Sequence, residues 1–169
     1  MFEDHTVETA PPGSRRTLEA MEKRMGRVPP AVARIAASPE LLDGFLKSSS
    51  LFESSTLDPV AREVVVMTMA TRNHCHICIT MHTAKLTALD ADAEVVAALT
   101  EQRPLEDAVL EAVRVFTLEV LRTAGEVEDS ALAAFLDHGY THRNALEVVL
   151  GIGAYTMSTL ANRMTRAPA

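Results

Sequence analysis

The segment that follows Asp58-Pro59 constrains the fold most, because residues 60–70 are apolar on most of their faces. An aspartate followed by a proline is typical of a helix start, with the aspartate as N-cap and the proline in the first turn. The sequence therefore predicts a central, buried helix. Three consecutive valines, residues 64–66, make a buried strand the competing interpretation, which the length of the segment and its start disfavour.

The composition favours helices along the whole chain. Ala, Leu, Glu, Val and Met dominate, and the aromatic content of 4% is low for a β-sandwich or barrel. With 169 residues, 47% of them hydrophobic, the chain can build one core without disulfide staples. We predict an all-α fold of about eight helices, with a flexible N-terminal arm over residues 1–13 and a single domain over residues 14–169. Cap and proline signals place helix starts at Ser14, Ser38-Pro39, Asp58-Pro59 and Pro104, and a further helix is predicted from about His74 to Leu89. Residues 62–66 weakly resemble residues 146–150, which leaves an internal repeat open.

Charge and cysteine usage exclude several classes of protein. The 16 basic and 23 acidic residues give a net charge of −7, which disfavours non-specific binding to nucleic acid or to an anionic membrane. Two cysteines cannot supply the framework of a disulfide-rich secreted domain. No basic-then-apolar leader opens the chain, and no apolar stretch reaches the roughly 20 residues of a membrane span. We therefore expect a cytoplasmic protein.

The two cysteines lie three residues apart, in the sequence Asn-His-Cys-His-Ile-Cys-Ile-Thr-Met-His over residues 73–82. On a helix, offsets of three and four residues place Cys75, Cys78 and His82 in one stripe. A helix N-terminus and a nearby histidine both favour the thiolate, which is the reactive form of cysteine. His82 lies one turn beyond Cys78 and could take its proton. The spacing therefore predicts a redox-active cysteine pair.

Glu63 is the candidate partner of His82. It lies twelve residues before Cys75, which on one unbroken helix would be about 18 Å along the axis. A turn near Asn73 would instead let two helices pack side by side and bring Glu63 towards His82. A buried carboxylate there would orient the imidazole and stabilise its charged form.

The order Glu63, eleven residues, Cys75-x-x-Cys78, three residues and His82 resembles the signature of a known family. This is the alkylhydroperoxidase D-like, peroxidase-related branch of the carboxymuconolactone decarboxylase family. The resemblance extends over about residues 26–163. The flanking matches are Val28-Pro29-Pro30, Ser38-Pro39-Glu40-Leu41-Leu42, Leu57-Asp58-Pro59, Arg62, Asn73, Glu147-Val148-Val149 and Asn162.

The resemblance implies an all-helical protein that reduces hydroperoxides through a reversible disulfide and assembles into a trimer, hexamer or dimer. Carried over by position, Cys78 is the peroxidatic thiolate, Cys75 resolves it, and His82 and Glu63 form a proton relay. The implied partner is an external dithiol reductant of the lipoyl or thioredoxin-like type. No bound cofactor or metal is implied.

One position departs from the family pattern. Members of the family carry a histidine two places after the first cysteine, where this chain has Ile77. His76 stands one place earlier, about 100° around a helix from Ile77. We interpret His74 and His76 as surface or rim residues. The departure bears on the details of the proton relay and on the strength of any peroxidase activity.

Four other interpretations stay open. Cys75 and Cys78 could be small core residues, or the chain could be a non-enzymatic helical oligomer whose cysteine pair senses redox state. Cys75, Cys78 and His82, with His74 or His76, could also form a structural metal clip. Finally, the chain could be a carboxymuconolactone decarboxylase-like enzyme acting on a small cyclic acid, although the decarboxylase branch lacks the cysteine pair.

Overall fold

The protein is described by a computed structural model that covers residues 2–168. Within that range the chain forms nine helices and no strand, which confirms the all-α prediction with one helix more than expected. None of these helices has the length and apolar character needed to cross a membrane. The bounds are α1 Pro12–Met25, α2 Pro30–Ile35, α3 Pro39–Glu53, α4 Pro59–Arg72, α5 His76–Ala88, α6 Ala93–Thr100, α7 Ala108–Thr123, α8 Asp129–Asp137 and α9 His142–Thr165.

Helix α4 lies at the centre of the molecule and packs against α5, α7 and α9. The Asp58 side chain accepts a hydrogen bond from the Val60 amide at 2.8 Å, and Pro59 occupies the first turn, as predicted. The valines at 64–66 are fully buried and lie inside α4, so the competing strand interpretation is wrong. A helix surrounded by other helices can bury apolar side chains on every face, which explains the lack of a polar stripe.

Helix α9 passes close to α4 and α3 because it carries glycine at the crossing. A Cβ atom built on Gly151 would lie 2.6 Å from the Phe52 ring and 3.1 Å from Val65. Helix α9 begins with a capping box, in which the side chains of Thr141 and Asn144 each accept from the other's backbone amide. The close approach lets α9 contribute side chains to the surroundings of α5.

Several helix starts differ from the sequence prediction. Helix α1 begins at Pro12, not at Ser14, because proline has the φ that a first turn needs. Ser14 is buried and donates to the Ala36 carbonyl at 2.8 Å. Helix α7 begins at Ala108, not at Pro104, and is capped by Asp107.

Before α1, the segment predicted as an arm contacts α2. Asp4 forms an ion pair with Arg34 at 2.6 Å, the His5 amide donates to the Ala33 carbonyl, and Ala10 is buried. The two segments of the suggested repeat lie near the starts of α4 and α9, and the repeat itself stays a prediction.

The turn between α4 and α5 is the feature that positions the site. Helix α4 ends at Arg72, and His74 takes the left-handed conformation with φ of 51°. The Cys75 amide donates to the Ala70 carbonyl at 2.9 Å, and the His74 amide donates to the Thr71 carbonyl at 3.0 Å. This is the Schellman pattern of a helix C-terminus. Helix α5 therefore starts at His76, two residues later than predicted, and packs along α4.

Candidate functional site

Cys75 and Cys78 are joined by a disulfide at the start of α5. Cys75 is the N-cap residue and Cys78 lies in the first turn, with 5.3 Å between the two Cα atoms. Both are buried against Ala70 of α4. A spacing of three residues at a helix start brings the two side chains close enough for this bond.

Glu63 and His82 meet across the packed pair α4 and α5. His82 Nδ1 lies 2.7 Å from Glu63 Oε2, and the Glu63 side chain is fully buried. The predicted turn near Asn73 is confirmed, and it produces this contact because it folds α5 back along α4. With its Nδ1–H donated to the carboxylate, the imidazole presents Nε2 as its second functional nitrogen.

Lys85 is a third member of this cluster that sequence analysis missed. Its Nζ lies 2.8 Å from Glu63 Oε1, and it also forms an ion pair with Glu53 of α3. Arg62 of α4 also approaches Glu53, at 4.0 Å. Lys85 follows His82 by three residues, so the two side chains share one face of α5. That spacing could have predicted that Lys85 joins His82 beside Glu63.

The two ion pairs determine the charge state of Glu63. Burial by itself raises the pKa of Glu63, but the hydrogen bond and charge of His82, together with those of Lys85, outweigh burial and leave the pKa lowered. Burial likewise lowers the pKa of Lys85, and its bonds to Glu53 and Glu63 outweigh that effect and raise it. Both groups are therefore held in their charged forms.

Helix α9 supplies two further residues that sequence analysis did not place in the site. The Tyr155 ring stands edge-on to the His82 ring, with 5.3 Å between centroids, and its hydroxyl lies 3.4 Å from Ser49 Oγ. Asn162 points its Nδ2 at Cys78 Sγ, 3.5 Å away. Asn162 had been noted only as a family match. No pattern within α5 could have predicted these contacts, because both residues lie far along the chain.

A cleft of about 250 Å³ opens on the other side of the disulfide. It is lined by residues 74–77 together with Asn162, Arg163, Arg166 and Ala167. His74 and His76 are exposed there, which fits the predicted rim positions. Ile77 packs partly buried against the cysteine pair.

Part of the chain matches a known protein family. The model of the carboxymuconolactone decarboxylase family matches residues 39–118. These residues belong to that family. The resemblance predicted from the sequence is thereby confirmed, and the match covers the α4–α5 pair with Glu63, the cysteines, His82 and Lys85.

Solved structures show how far the fold extends beyond the family segment. A peroxidase-related protein from Silicibacter sp. has a TM-score of 0.77 at 21% identity, covering 94% of this chain and 85% of its own. An alkylhydroperoxidase AhpD core protein from Ralstonia eutropha, also peroxidase-related, has a TM-score of 0.84 at 18% identity, covering 99% and 90%. Among proteins of curated function, none matches this sequence. At these identities, the structural likeness establishes the fold.

The carboxymuconolactone decarboxylase family segment shows no arrangement for a metal ion. Within residues 2–168, no three His, Cys, Asp or Glu side chains are grouped so that they could hold one. Cys75 and Cys78 are bonded to each other, and a disulfide sulfur does not provide the thiolate that zinc binds. In this oxidised form the two cysteines therefore cannot serve as metal ligands.

Proposed function

We propose that this protein is a dithiol-dependent hydroperoxide reductase whose redox centre is the Cys75–Cys78 pair. The observation that carries the proposal is the placement of His82 one turn after Cys78, with its imidazole held by the buried Glu63 at 2.7 Å. A cysteine pair beside a positioned acid–base group is the arrangement that thiol peroxidases require. The peroxidase-related structural neighbours are consistent with it.

The first step oxidises Cys78. In the reduced protein, His82 takes the thiol proton of Cys78, and Asn162 donates a hydrogen bond to the sulfur. The thiolate attacks the terminal oxygen of the hydroperoxide, the O–O bond breaks, and the alkoxide leaves as an alcohol with the proton from His82. Cys78 is left as a sulfenic acid. Glu63 stabilises the imidazolium that exists between the two proton transfers.

The second step closes the disulfide. The Cys75 thiol attacks the sulfenic sulfur of Cys78, and water leaves. The product is the disulfide seen in the structure, with two electrons passed to the hydroperoxide. An external dithiol then returns two electrons by thiol–disulfide exchange and restores both thiols.

Single serine variants test the proposal. Cys78→Ser should abolish hydroperoxide turnover, because the nucleophile is gone. Cys75→Ser should lose steady-state turnover but still form one sulfenic acid per chain, which mass spectrometry after trapping with a dimedone-type reagent detects. Hydroperoxide reduction by Cys78→Ser at the wild-type rate would overturn the mechanism. Turnover of a small cyclic acid that survives loss of both thiols would favour the decarboxylase-like alternative.

We also propose that the protein is a homo-oligomer that acts in the cytoplasm. Helix α9 exposes large apolar side chains on one face, with Leu146 72% exposed, Leu160 54% and Met164 65%. Such a stripe is typical of a surface that another chain covers. Sedimentation velocity at micromolar concentration should show a trimer, hexamer or dimer, and Leu160→Lys should shift it towards smaller species. A monomer in the wild type would exclude this assembly.

A further inference from the structure

We propose that the cleft beside Cys75 binds the anionic group of an acidic thiol, and that this thiol attacks Cys75 when the disulfide is reduced. The inference rests on the proposed function, since it names the class of reductant for the same cysteine pair. The substrate class is a thiol whose carbon chain carries a carboxylate.

The cleft is positive although the chain carries a net charge of −7. Arg163 and Arg166 lie on one wall and His74 and His76 on the other, and no acidic side chain lines it within the described residues. Arg163 Nη1 donates to the Asn73 carbonyl, which fixes this side chain at the α4–α5 turn. A local positive field in an acidic protein selects anionic ligands by charge.

The N-terminus of α5 adds to this field. Its N-cap residue, Cys75, makes no side-chain capping bond, and the first turn contains no acidic residue. The backbone amides of this turn therefore lack the capping partner that aspartate supplies at α4. The uncapped amides and the helix dipole both favour a negative group in the cleft.

Asn162 supplies an independent sign of a missing ligand. Its side chain is 8% exposed and lines the cleft, and its Oδ1 has no hydrogen-bond partner within residues 2–168. A buried carbonyl oxygen without a partner is costly, and the S–H of an incoming thiol can donate to it before that thiol loses its proton. The same side chain holds Cys78 Sγ through Nδ2, so it bridges the cleft and the disulfide.

The position of the cleft decides which sulfur is attacked. Cys75 lines the cleft with 1% of its surface exposed, and Cys78, which is 5% exposed, does not line it. The reductant loses its thiol proton to solvent, and its thiolate attacks Cys75 Sγ, so that a new S–S bond forms there and the Cys75–Cys78 bond breaks. Cys78 keeps the electron pair and leaves as a thiolate beside Asn162, where His82 can supply its proton. A second thiol then attacks the sulfur of the bound reductant and releases Cys75.

The test compares three small thiols as reductants of the oxidised wild-type protein, without any peroxide present. 3-Mercaptopropionate is anionic, 2-mercaptoethanol is neutral and cysteamine is cationic. Acid-quenched samples are alkylated, and mass spectrometry gives both the reduction rate and the cysteine that carries the adduct. The comparison is repeated with Arg166→Gln and with Arg163→Gln/Arg166→Gln. Arg24→Gln on α1 is the matched control, because α1 packs on α3 and lies outside the cleft.

We expect the rate ratio of 3-mercaptopropionate to 2-mercaptoethanol to fall by about threefold or more in the double variant, and by less in Arg166→Gln. The control should keep the wild-type ratio, and the cysteamine rate should rise in the double variant. Arg166→Gln leaves the Arg163 bond intact, so it tests the charge if the double variant folds poorly. The first adduct should lie on Cys75. Equal ratios in all variants, or a first adduct on Cys78, would overturn the inference whether or not the protein reduces hydroperoxides.

Discussion

Glu63 and His82 lie nineteen residues apart on consecutive helices, and their side chains meet at 2.7 Å in the space between α4 and α5. The contact depends on the left-handed His74, which ends α4 and turns the chain back. The carboxylate is fully buried, so it cannot exchange this partner for water. The packing of α5 against α4 therefore also fixes the orientation of the His82 imidazole.

Replacing Glu63 with glutamine should lower hydroperoxide turnover while leaving the cysteine pair in place. The amide keeps the size of the carboxylate but removes the charge that stabilises imidazolium, and the loss in kcat should be about tenfold or more. The free energy of unfolding should fall by about 1.5–3 kcal/mol, because a charged hydrogen bond is lost. Steady-state kinetics and urea unfolding measure the two effects.

Glu147→Gln is the matched control for that variant. Glu147 is also a buried glutamate in the first part of a helix, but it accepts from Thr56, Asn144 and Arg143 at the start of α9. It should lose stability and keep turnover near the wild-type value. An equal fall in turnover for both variants would mean that Glu63 acts through folding and not through His82.

The stability of the wild type should depend on pH through Glu63. Because the folded-state pKa of Glu63 is lowered, its contribution is fully present above the ordinary glutamate pKa of about 4.3 and is lost as pH falls through the lowered value. The difference in unfolding free energy between wild type and Glu63→Gln should therefore shrink between neutral pH and pH values below about 4. Urea midpoints at several pH values test this. A difference that widens on acidification would mean that burial dominates and raises the pKa.

Lys85→Gln should shift the acidic limb of the pH profile of kcat to higher pH. Lys85 lowers the pKa of Glu63 through its ion pair, so its removal should raise that pKa and shift the acidic limb of the kcat profile to higher pH. Turnover near neutral pH should change little. Lys47→Gln is a control, because Lys47 pairs with the exposed Asp43 on α3 and lies outside the Glu63 cluster. A profile that does not move would show that Lys85 has no electrostatic effect on the relay.

Two glycines of α9 should respond oppositely to alanine. At Gly151 the added methyl group would lie 2.6 Å from the Phe52 ring, so Gly151→Ala should destabilise the protein by about 1–3 kcal/mol. At Gly153 an added Cβ would meet no atom within 4 Å apart from its own helix backbone, so Gly153→Ala should stabilise the helix by about 0.5–1 kcal/mol. Thermal unfolding of both variants measures the contrast. Equal shifts would contradict the close α9–α3 approach.

Local sequence signals predicted much of this fold because they act within one turn of helix. Asp58 and Ser38 cap the helices that they were expected to cap. The predicted start of α7 at Pro104 was wrong, because Asp107 offers its side chain to two amides and proline cannot. Tyr155 and Lys85 were not predicted as site residues for a different reason. Tyr155 contacts His82, and Lys85 contacts Glu63, and both of these partners lie on other helices.

The sequence by itself determined the helical class, the family segment and the stripe formed by Cys75, Cys78 and His82, because spacing along one helix fixes which side chains share a face. Only the tertiary structure decided which groups surround that stripe. Packing of α3, α4 and α9 against α5 places Glu63 and Lys85 on one side and the arginine-lined cleft on the other. These contacts join residues far apart in the chain, and a contact between distant residues follows from how helices cross.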